Sequence, residues 1–126
     1  MITKAQRAYA YYPGCSLETT NKAYDISTRN VSRVLGLEMV ELEDWNCCGA
    51  TAYLATDPRR AHVLSARNLA LAEETTEHLV CICSGCYLVL HKTNKLFRES
   101  EADRVEIRRA LQAGNMDYHG GVEVRH

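Results

Sequence analysis

The stretch Leu79-Val80-Cys81-Ile82-Cys83-Ser84-Gly85-Cys86 contains the features that decide the fold. Its first five residues form a near-continuous apolar run, which is typical of a strand buried on both faces of a parallel sheet. Cys83 closes this run, Cys86 follows it as the second member of a C-x-x-C pair, and Tyr87 begins one side of a predicted helix. The stretch therefore predicts a buried strand that ends at a thiol site and continues into a helix.

Two earlier segments repeat this order of strand and cysteine. Residues 7–12 form a β-rich stretch that ends at the turn signal Pro13-Gly14, and Cys15 follows the turn directly. Residues 37–42 form a second short strand, which leads to Cys47-Cys48-Gly49. In an open α/β sheet, ligands bind beyond the carboxyl ends of the strands, so we expect all three cysteine groups to share one site.

The remaining elements complete an open, three-layer α/β fold with a mainly parallel sheet and the order βαβαβα. Helices are predicted at 18–35, from Asp57-Pro58 to about His78, at about 84–97 and at 100–113, and a last strand at 122–126. Asp57 can cap the second helix, and Pro58 has the backbone angle that a first helical position requires.

Length and composition are those of one ordinary domain, which we expect to span 1–126. The chain has 126 residues, 46% hydrophobic content and a formal charge of -1, so no strong field favours nucleic acid or an anionic membrane as a partner. It shows neither a signal peptide nor an apolar run of membrane-spanning length, and we therefore predict a cytoplasmic protein without a membrane span. Its six cysteines are then better candidates for metal or redox chemistry than for disulfides.

The cysteine spacing C-x31-CCG-x33-C-x-x-C predicts a metal cofactor, because five gathered thiolates repel one another unless cations hold them. A zinc ion with four thiolate ligands is one alternative. The adjacent Cys47 and Cys48 project in different directions, which suits separate metal atoms better than one ion. Five thiolates also exceed the four that a cubane iron–sulfur cluster needs, so either one cysteine is spare or the cluster is larger or more open.

These residues resemble a known family. Cys15, Cys47-Cys48-Gly49, Cys83 and Cys86 at these spacings resemble the CCG domain of the heterodisulfide reductase B-subunit, and related domains of the succinate dehydrogenase E-subunit, glycolate oxidase and lactate-utilisation proteins. The resemblance implies a non-cubane [4Fe-4S] cluster as cofactor, with Cys15, Cys47, Cys48, Cys83 and Cys86 as its ligands. Some N-terminal CCG domains have been regarded as zinc sites, so the resemblance leaves zinc as the alternative cofactor.

The resemblance also implies an oxidoreductase of the disulfide reductase type. Such a domain passes electrons between a ferredoxin-like or flavin partner and a disulfide or thiol substrate, and the implied partners are the flavoprotein A-subunit of a heterodisulfide reductase and its ferredoxin-like C-subunit. An iron of the cluster would bind the substrate sulfur, so the cysteines would be a scaffold, and no catalytic side chain is identified. Proteins of the B-subunit type usually have two CCG motifs and this sequence has one, which predicts the N-terminal half of a two-CCG protein.

Two hypotheses from other classes fit the same residues. A zinc-stabilised module could assemble a redox complex without performing chemistry, and a metal-free thiol switch could use the cysteines directly. Metal analysis of the anaerobically purified protein separates the first hypothesis from an iron–sulfur domain, and thiol counting tests the second.

The start of the third helix is expected to favour bound thiolates. The free N–H groups and the positive dipole end at Ser84-Gly85-Cys86 are predicted to lower the pKa of a thiol there and to donate hydrogen bonds to sulfur. Gly49 and Gly85 are predicted to permit a close approach of the backbone to the cofactor.

Three further residues are predicted to lie outside the site. Cys81 shares strand parity with Cys83 but falls outside the motif, so a core residue is favoured over a sixth ligand. His62 and His78 fall on a charged helix and are predicted to be solvated.

Overall fold

Strands and helices alternate along the chain in the computed structural model, which describes residues 7–50 and 52–126. The strands are β1 (Arg7–Tyr11), β2 (Leu37–Glu41), β3 (His78–Val80) and β4 (Glu123–Arg125). The helices are α1 (Gly14–Glu18), α2 (Lys22–Val34), α3 (Ala52–Thr56), α4 (Pro58–Glu73), α5 (Ser84–Glu99) and α6 (Glu101–Ala113). Two helices stand in each connection between successive strands, where the sequence predicted one helix in the first two connections.

The strands form one parallel sheet with the order β2-β1-β3-β4. In its register Tyr11 lies opposite Glu41 on one side and Val80 on the other, and Val80 lies opposite Arg125. The carboxyl ends of all four strands therefore meet at one edge. This arrangement confirms the predicted α/β class with its open parallel sheet.

The core lies between one face of the sheet and helices α4, α5 and α6. Ala10, Leu79 and Val124 form a row across three neighbouring strands, and all three are buried in the core cluster. Leu69 of α4 and Leu90 of α5 pack in the same cluster and are fully buried. Each such buried side chain stabilises the fold by about 1.5–3 kcal/mol. The side of the sheet that α4, α5 and α6 cover therefore supplies most of the stabilisation from apolar burial.

Helix α2 covers the opposite face and does so with polar side chains. The Tyr11 hydroxyl donates to the Asp25 carboxylate at 2.7 Å, and Arg29 bridges Asp25 and Glu41. The apolar side of the helix faces solvent, with exposed side chains at Tyr24, Ile26, Val31, Val34 and Leu35. The apolar spacing thus predicted a helix here, but the polar contacts decide which side packs on the sheet.

The boundaries of the first predicted helix require a correction. Residues 18–35 form the end of α1, a break at 19–21, helix α2 and one residue beyond it. The backbone N–H of Asn21 donates to the Ser16 carbonyl, and the Asn21 side-chain amide donates to the Ser16 hydroxyl. These two hydrogen bonds close a turn between α1 and α2. Cys15, which was predicted to follow the Pro13-Gly14 turn, lies within the short helix α1.

Helix α4 and strand β3 end earlier than predicted. Helix α4 begins as expected, with Pro58 at its first position and Asp57 accepting from the Arg60 N–H, but it ends at Glu73 rather than near His78. Strand β3 ends at Val80, although the apolar run continues to Cys83. The five-residue helix α3 was not predicted. None of the helices within 7–50 and 52–126 has the length and apolar character needed to cross a membrane.

Candidate metal centre

The cysteines of the motif emerge at the carboxyl edge of the sheet from three different connections. Cys15 lies in α1 directly after β1, and Cys47 and Cys48 lie in the loop that follows β2. Cys83 is the N-cap of α5, and Cys86 lies in the first turn of that helix. The predicted convergence of distant segments at one edge is therefore present in the fold.

The thiols form a connected group. The sulfur atoms of Cys48 and Cys86, which are 38 residues apart in sequence, lie 3.3 Å from each other. The Cys15 thiol interacts with the Cys47 thiol, and the Cys86 thiol interacts with that of Cys83. Cys48 and Cys86 are buried, Cys47 and Cys83 are half-buried and Cys15 is exposed, so the group extends from the core to the surface.

The two buried thiols resist ionisation. The hydrogen bond with Cys86 and then burial raise the pKa of Cys48 well above its usual range. For Cys86 the bond with Cys48 lowers the pKa, but the nearby Cys81 thiol and burial outweigh it and leave the pKa raised. Burial and the neighbouring thiols therefore set the direction of the pKa of Cys86, and a lowering contribution from the helix N-terminus stays a prediction. Ionisation of this pair requires a cation to replace the lost hydration.

Two aromatic residues form the inner wall of the site. The Tyr12 side chain is fully buried, and burial followed by the nearby Cys48 and Cys86 sulfurs raises its pKa far above the usual range. The Tyr12 hydroxyl donates to the Asn46 carbonyl at 2.7 Å, and the Trp45 ring packs edge-on against Tyr12. The fully buried Tyr12 therefore lies beside the inner thiols, and Trp45 packs against it.

A polar clamp on α4 holds the Cys47-Cys48 loop in place. Asn68 accepts from the Asn46 N–H at 2.9 Å and donates to the Asn46 carbonyl at 2.8 Å. Ser65 donates to the Cys48 carbonyl at 2.6 Å, and both Ser65 and Asn68 are fully buried. The sequence analysis missed these residues, although polar side chains among the alanines and leucines of α4 were a signal for them.

Two glycines allow the cysteine loops to approach their neighbours. Gly49 has a φ of +84°, and a Cβ there would lie 2.9 Å from the Cα of Ala61 in α4. Gly14 has a φ of +76°, and a Cβ there would lie 2.9 Å from the Cys86 sulfur. The close approach of Gly49 is to α4, and that of Gly14, which was not predicted, is to a cysteine of the motif. A Cβ at Gly85 would make only an ordinary contact of 4.0 Å with Cys83. The approach of Gly49 and Gly85 to the cofactor stays a prediction.

The two histidines are placed differently from the prediction. His62 lies at the contact of α4 with α5, where its Nδ1 is 2.7 Å from the Thr93 hydroxyl, so it is half-buried rather than solvated. Burial, and then the nearby Lys92, lower the pKa of His62. His78 begins β3 instead of lying on a helix, and this position is at the strand end away from the cysteines.

The arrangement of donors bears on the kind of metal group that fits. Within 7–50 and 52–126, no three His, Cys, Asp or Glu side chains stand as a set that could hold one metal ion. A tetrahedral zinc ion needs four ligands at about 2.0–2.3 Å from one point. The connected set of soft sulfur donors is of the kind that holds a thiolate-bound metal group, either a zinc ion or an iron–sulfur cluster.

Comparison with known proteins agrees with this donor set. Residues 9–91 match the family model CCG, described as a cysteine-rich domain. The 8-methylmenaquinol:fumarate reductase membrane anchor subunit of Wolinella succinogenes is 36% identical over 119 residues, which are 94% of this chain and 41% of that protein. A heterodisulfide reductase B-subunit-like protein of Archaeoglobus profundus is 28% identical over 120 residues, 94% of this chain and 40% of that protein.

A third relative is also a B-subunit of a heterodisulfide reductase. The B-subunit of the ferredoxin/F(420)H(2)-dependent CoB-CoM heterodisulfide reductase of Methanosarcina acetivorans is 25% identical over 116 residues, which cover 91% of this chain and 39% of that protein. The chain therefore spans about two fifths of the length of these curated relatives. The resemblance to the heterodisulfide reductase B-subunit is confirmed by the family match and by these relatives.

Proposed function

Because the chain belongs to the CCG family of cysteine-rich domains, we propose that it is an iron–sulfur redox domain of the heterodisulfide reductase B-subunit type. Its relatives are subunits of oxidoreductases, which supports a role within a redox enzyme complex. The observation that carries the proposal is the meeting of cysteines from three strand ends, with Cys48 and Cys86 sulfurs 3.3 Å apart.

Cys15, Cys47, Cys48, Cys83 and Cys86 would together hold a non-cubane [4Fe-4S] cluster. When bound, this cluster supplies one-electron transfer to a disulfide or from a thiol. The protein contributes the shielded wall of Tyr12 and Trp45, and burial of this kind helps set a reduction potential. The Gly49 N–H lies 3.4 Å from the Cys47 sulfur and would donate to it as a thiolate.

The exposed side of the thiol group gives the direction from which a substrate would approach. Cys15 is exposed and Cys83 is half-buried, whereas the inner pair is closed off by the core. The substrate is proposed to be a disulfide or thiol, and the partners a flavoprotein of the heterodisulfide reductase A-subunit type and a ferredoxin-like protein of the C-subunit type. We propose that the chain corresponds to the N-terminal half of a two-CCG protein, so that turnover belongs to the whole protein.

A second candidate rests on the relative from Wolinella succinogenes. That protein is a membrane anchor subunit of an 8-methylmenaquinol:fumarate reductase and is 36% identical to this chain. In this alternative the domain carries electrons within a quinol:fumarate reductase complex, and no disulfide is reduced. Measuring whether a dithionite-reduced sample is reoxidised by a small disulfide or by a quinone analogue distinguishes the two candidates.

Metal analysis after anaerobic purification tests the proposal. We expect a brown protein with about four irons and about four acid-labile sulfides per chain, as a [4Fe-4S] cluster requires. Cys48→Ser should lose most of this iron, because it removes one of the two inner ligands. Cys81→Ser is the matched control, since it makes the same change at a cysteine outside the motif, and it should retain the iron. A colourless protein with one zinc per chain would refute the redox role and support a zinc-stabilised assembly module instead.

A further inference from the structure

Cys81 is the sixth cysteine of the chain and lies outside the CCG motif. It directly follows β3 and is fully buried, as predicted for a core residue. Its backbone N–H donates to the Arg125 carbonyl at 2.8 Å, which extends the pairing of β3 with β4 by one residue. The position of its side chain is therefore fixed by the sheet.

The thiol of Cys81 is nevertheless part of the cysteine group. Its sulfur lies 3.6 Å from the carbonyl oxygen of Cys83, the N-cap residue of α5. It also interacts with the Cys86 thiol in the first turn of that helix. Cys81 thus lies against the start of α5, beside the C-x-x-C pair and on the buried side of the cysteine group.

The buried thiol of Cys81 can serve as a hydrogen-bond donor to a ligand sulfur. A metal-bound Cys86 is a thiolate, and a charged sulfur accepts a stronger hydrogen bond than the Cys83 carbonyl. Rotation about the Cβ–Sγ bond of Cys81 would turn its S–H from the Cys83 carbonyl toward the Cys86 sulfur. A hydrogen bond to a ligand sulfur withdraws electron density from the metal group, raises its reduction potential and orients the ligand.

We propose that Cys81 is a positioning residue of the metal centre, whose thiol does not bind metal and donates a hydrogen bond to the Cys86 sulfur. This inference rests on the proposed function. It assigns a role to a residue that the motif does not include.

The test compares Cys81→Ala and Cys81→Ser with the unchanged protein after anaerobic purification. Both variants should keep the same metal content per chain. Cys81→Ala should have a more negative midpoint potential and should release metal faster to a chelator, because the donor is lost. Cys81→Ser keeps a donor and should stay closer to the unchanged protein in both measurements. The chelators are bathophenanthroline for iron and 4-(2-pyridylazo)resorcinol for zinc.

Leu79→Val is the control for packing, because Leu79 is fully buried in the same segment and has no donor. It should lower the melting temperature without changing the midpoint potential or the rate of metal release. Loss of metal in Cys81→Ala would show that Cys81 is a ligand and would overturn the inference. A midpoint potential and release rate equal to those of the unchanged protein would reduce Cys81 to a packing residue. If the unchanged protein binds no metal, the proposed function itself fails.

Discussion

Helices α5 and α2 lie on opposite faces of the same sheet and turn opposite sides toward it. Helix α5 buries apolar side chains such as Val89, Leu90 and Phe97 and presents Cys86 at its first turn. Helix α2 turns Asp25 and Arg29 toward the sheet and leaves its apolar side in solvent. The difference shows that the cysteine edge is supported from one face, by a close-packed core, while the other face is held by polar contacts.

Substitution of matched apolar residues should give the largest contrast between the two helices. Leu90→Ala removes a fully buried side chain of α5 and should lower the free energy of unfolding by about 2–5 kcal/mol. Val34→Ala on α2, where the side chain is 87% exposed, should change it by no more than about 0.5 kcal/mol. Urea denaturation measures both values. Equal losses in the two variants would mean that the apolar side of α2 is covered in solution.

Substitution of an asparagine on each face of the sheet compares the two faces by their effect on the metal site. Asn68→Ala removes both hydrogen bonds to Asn46 and leaves the partly buried Asn46 N–H without its acceptor, while the Asn46 carbonyl keeps the Tyr12 hydroxyl as a donor. The expected loss is about 1–3 kcal/mol. Because the Cys47-Cys48 loop is then released from α4, metal should also dissociate faster. Asn30→Ala on the exposed side of α2 is the control and should alter neither stability nor metal release. If Asn68→Ala keeps the original release rate, the clamp does not position the ligands.

The polar contacts of α2 should contribute less to the free energy of unfolding than the apolar side chains that α5 buries. Asp25→Asn keeps an acceptor for the Tyr11 hydroxyl but removes the charge that pairs with Arg29. Because this pair is partly exposed, the expected loss is about 0.2–1 kcal/mol in urea denaturation at neutral pH. A loss as large as that of Leu90→Ala would show that polar contacts, rather than the core, dominate the stability of the sheet.

The ion pair between Arg108 of α6 and Asp117 should make a still smaller contribution to the stability of the fold, and lowering the pH should remove it. The Arg108 side chain binds Asp117 and holds the pKa of Asp117 at about 2, below its ordinary value of 3.8. Since the pKa is lowered by folding, the contribution is complete above about pH 4 and is lost as the pH falls toward 2. Solvent screens this exposed pair, so the effect is small. Asp117→Asn should flatten the stability curve between pH 4 and 2, and an unchanged slope would contradict the assignment.

The sequence predicted the parts of the site that depend on local pattern. Three β-rich or apolar runs, each followed by cysteines, predicted strands β1, β2 and β3. The parallel sheet brings the carboxyl ends of these strands to one edge, where Cys48 and Cys86 meet. The start of α4 was also predictable, because capping by Asp57 and the geometry of Pro58 are local effects.

The features that the sequence did not predict depend on contacts between segments that are distant in sequence. The periodicity of apolar residues carries no information about such contacts. The orientation of α2 follows from Tyr11, Asp25 and Glu41, which belong to three different elements. The need for glycine at position 14 arises from the Cys86 sulfur, which is distant in sequence. The contact of Cys81 with Cys86 likewise exists only after β3 and α5 have packed together.

The decisive measurement of where iron binds is anomalous diffraction at the iron absorption edge from crystals of the anaerobically purified protein. We expect iron peaks within bonding distance of the sulfurs of Cys15, Cys47, Cys48, Cys83 and Cys86, all at the carboxyl edge of the sheet. Iron bound to Cys83 and Cys86 alone, with Cys15 and the Cys47-Cys48 loop outside bonding distance, would contradict a shared centre.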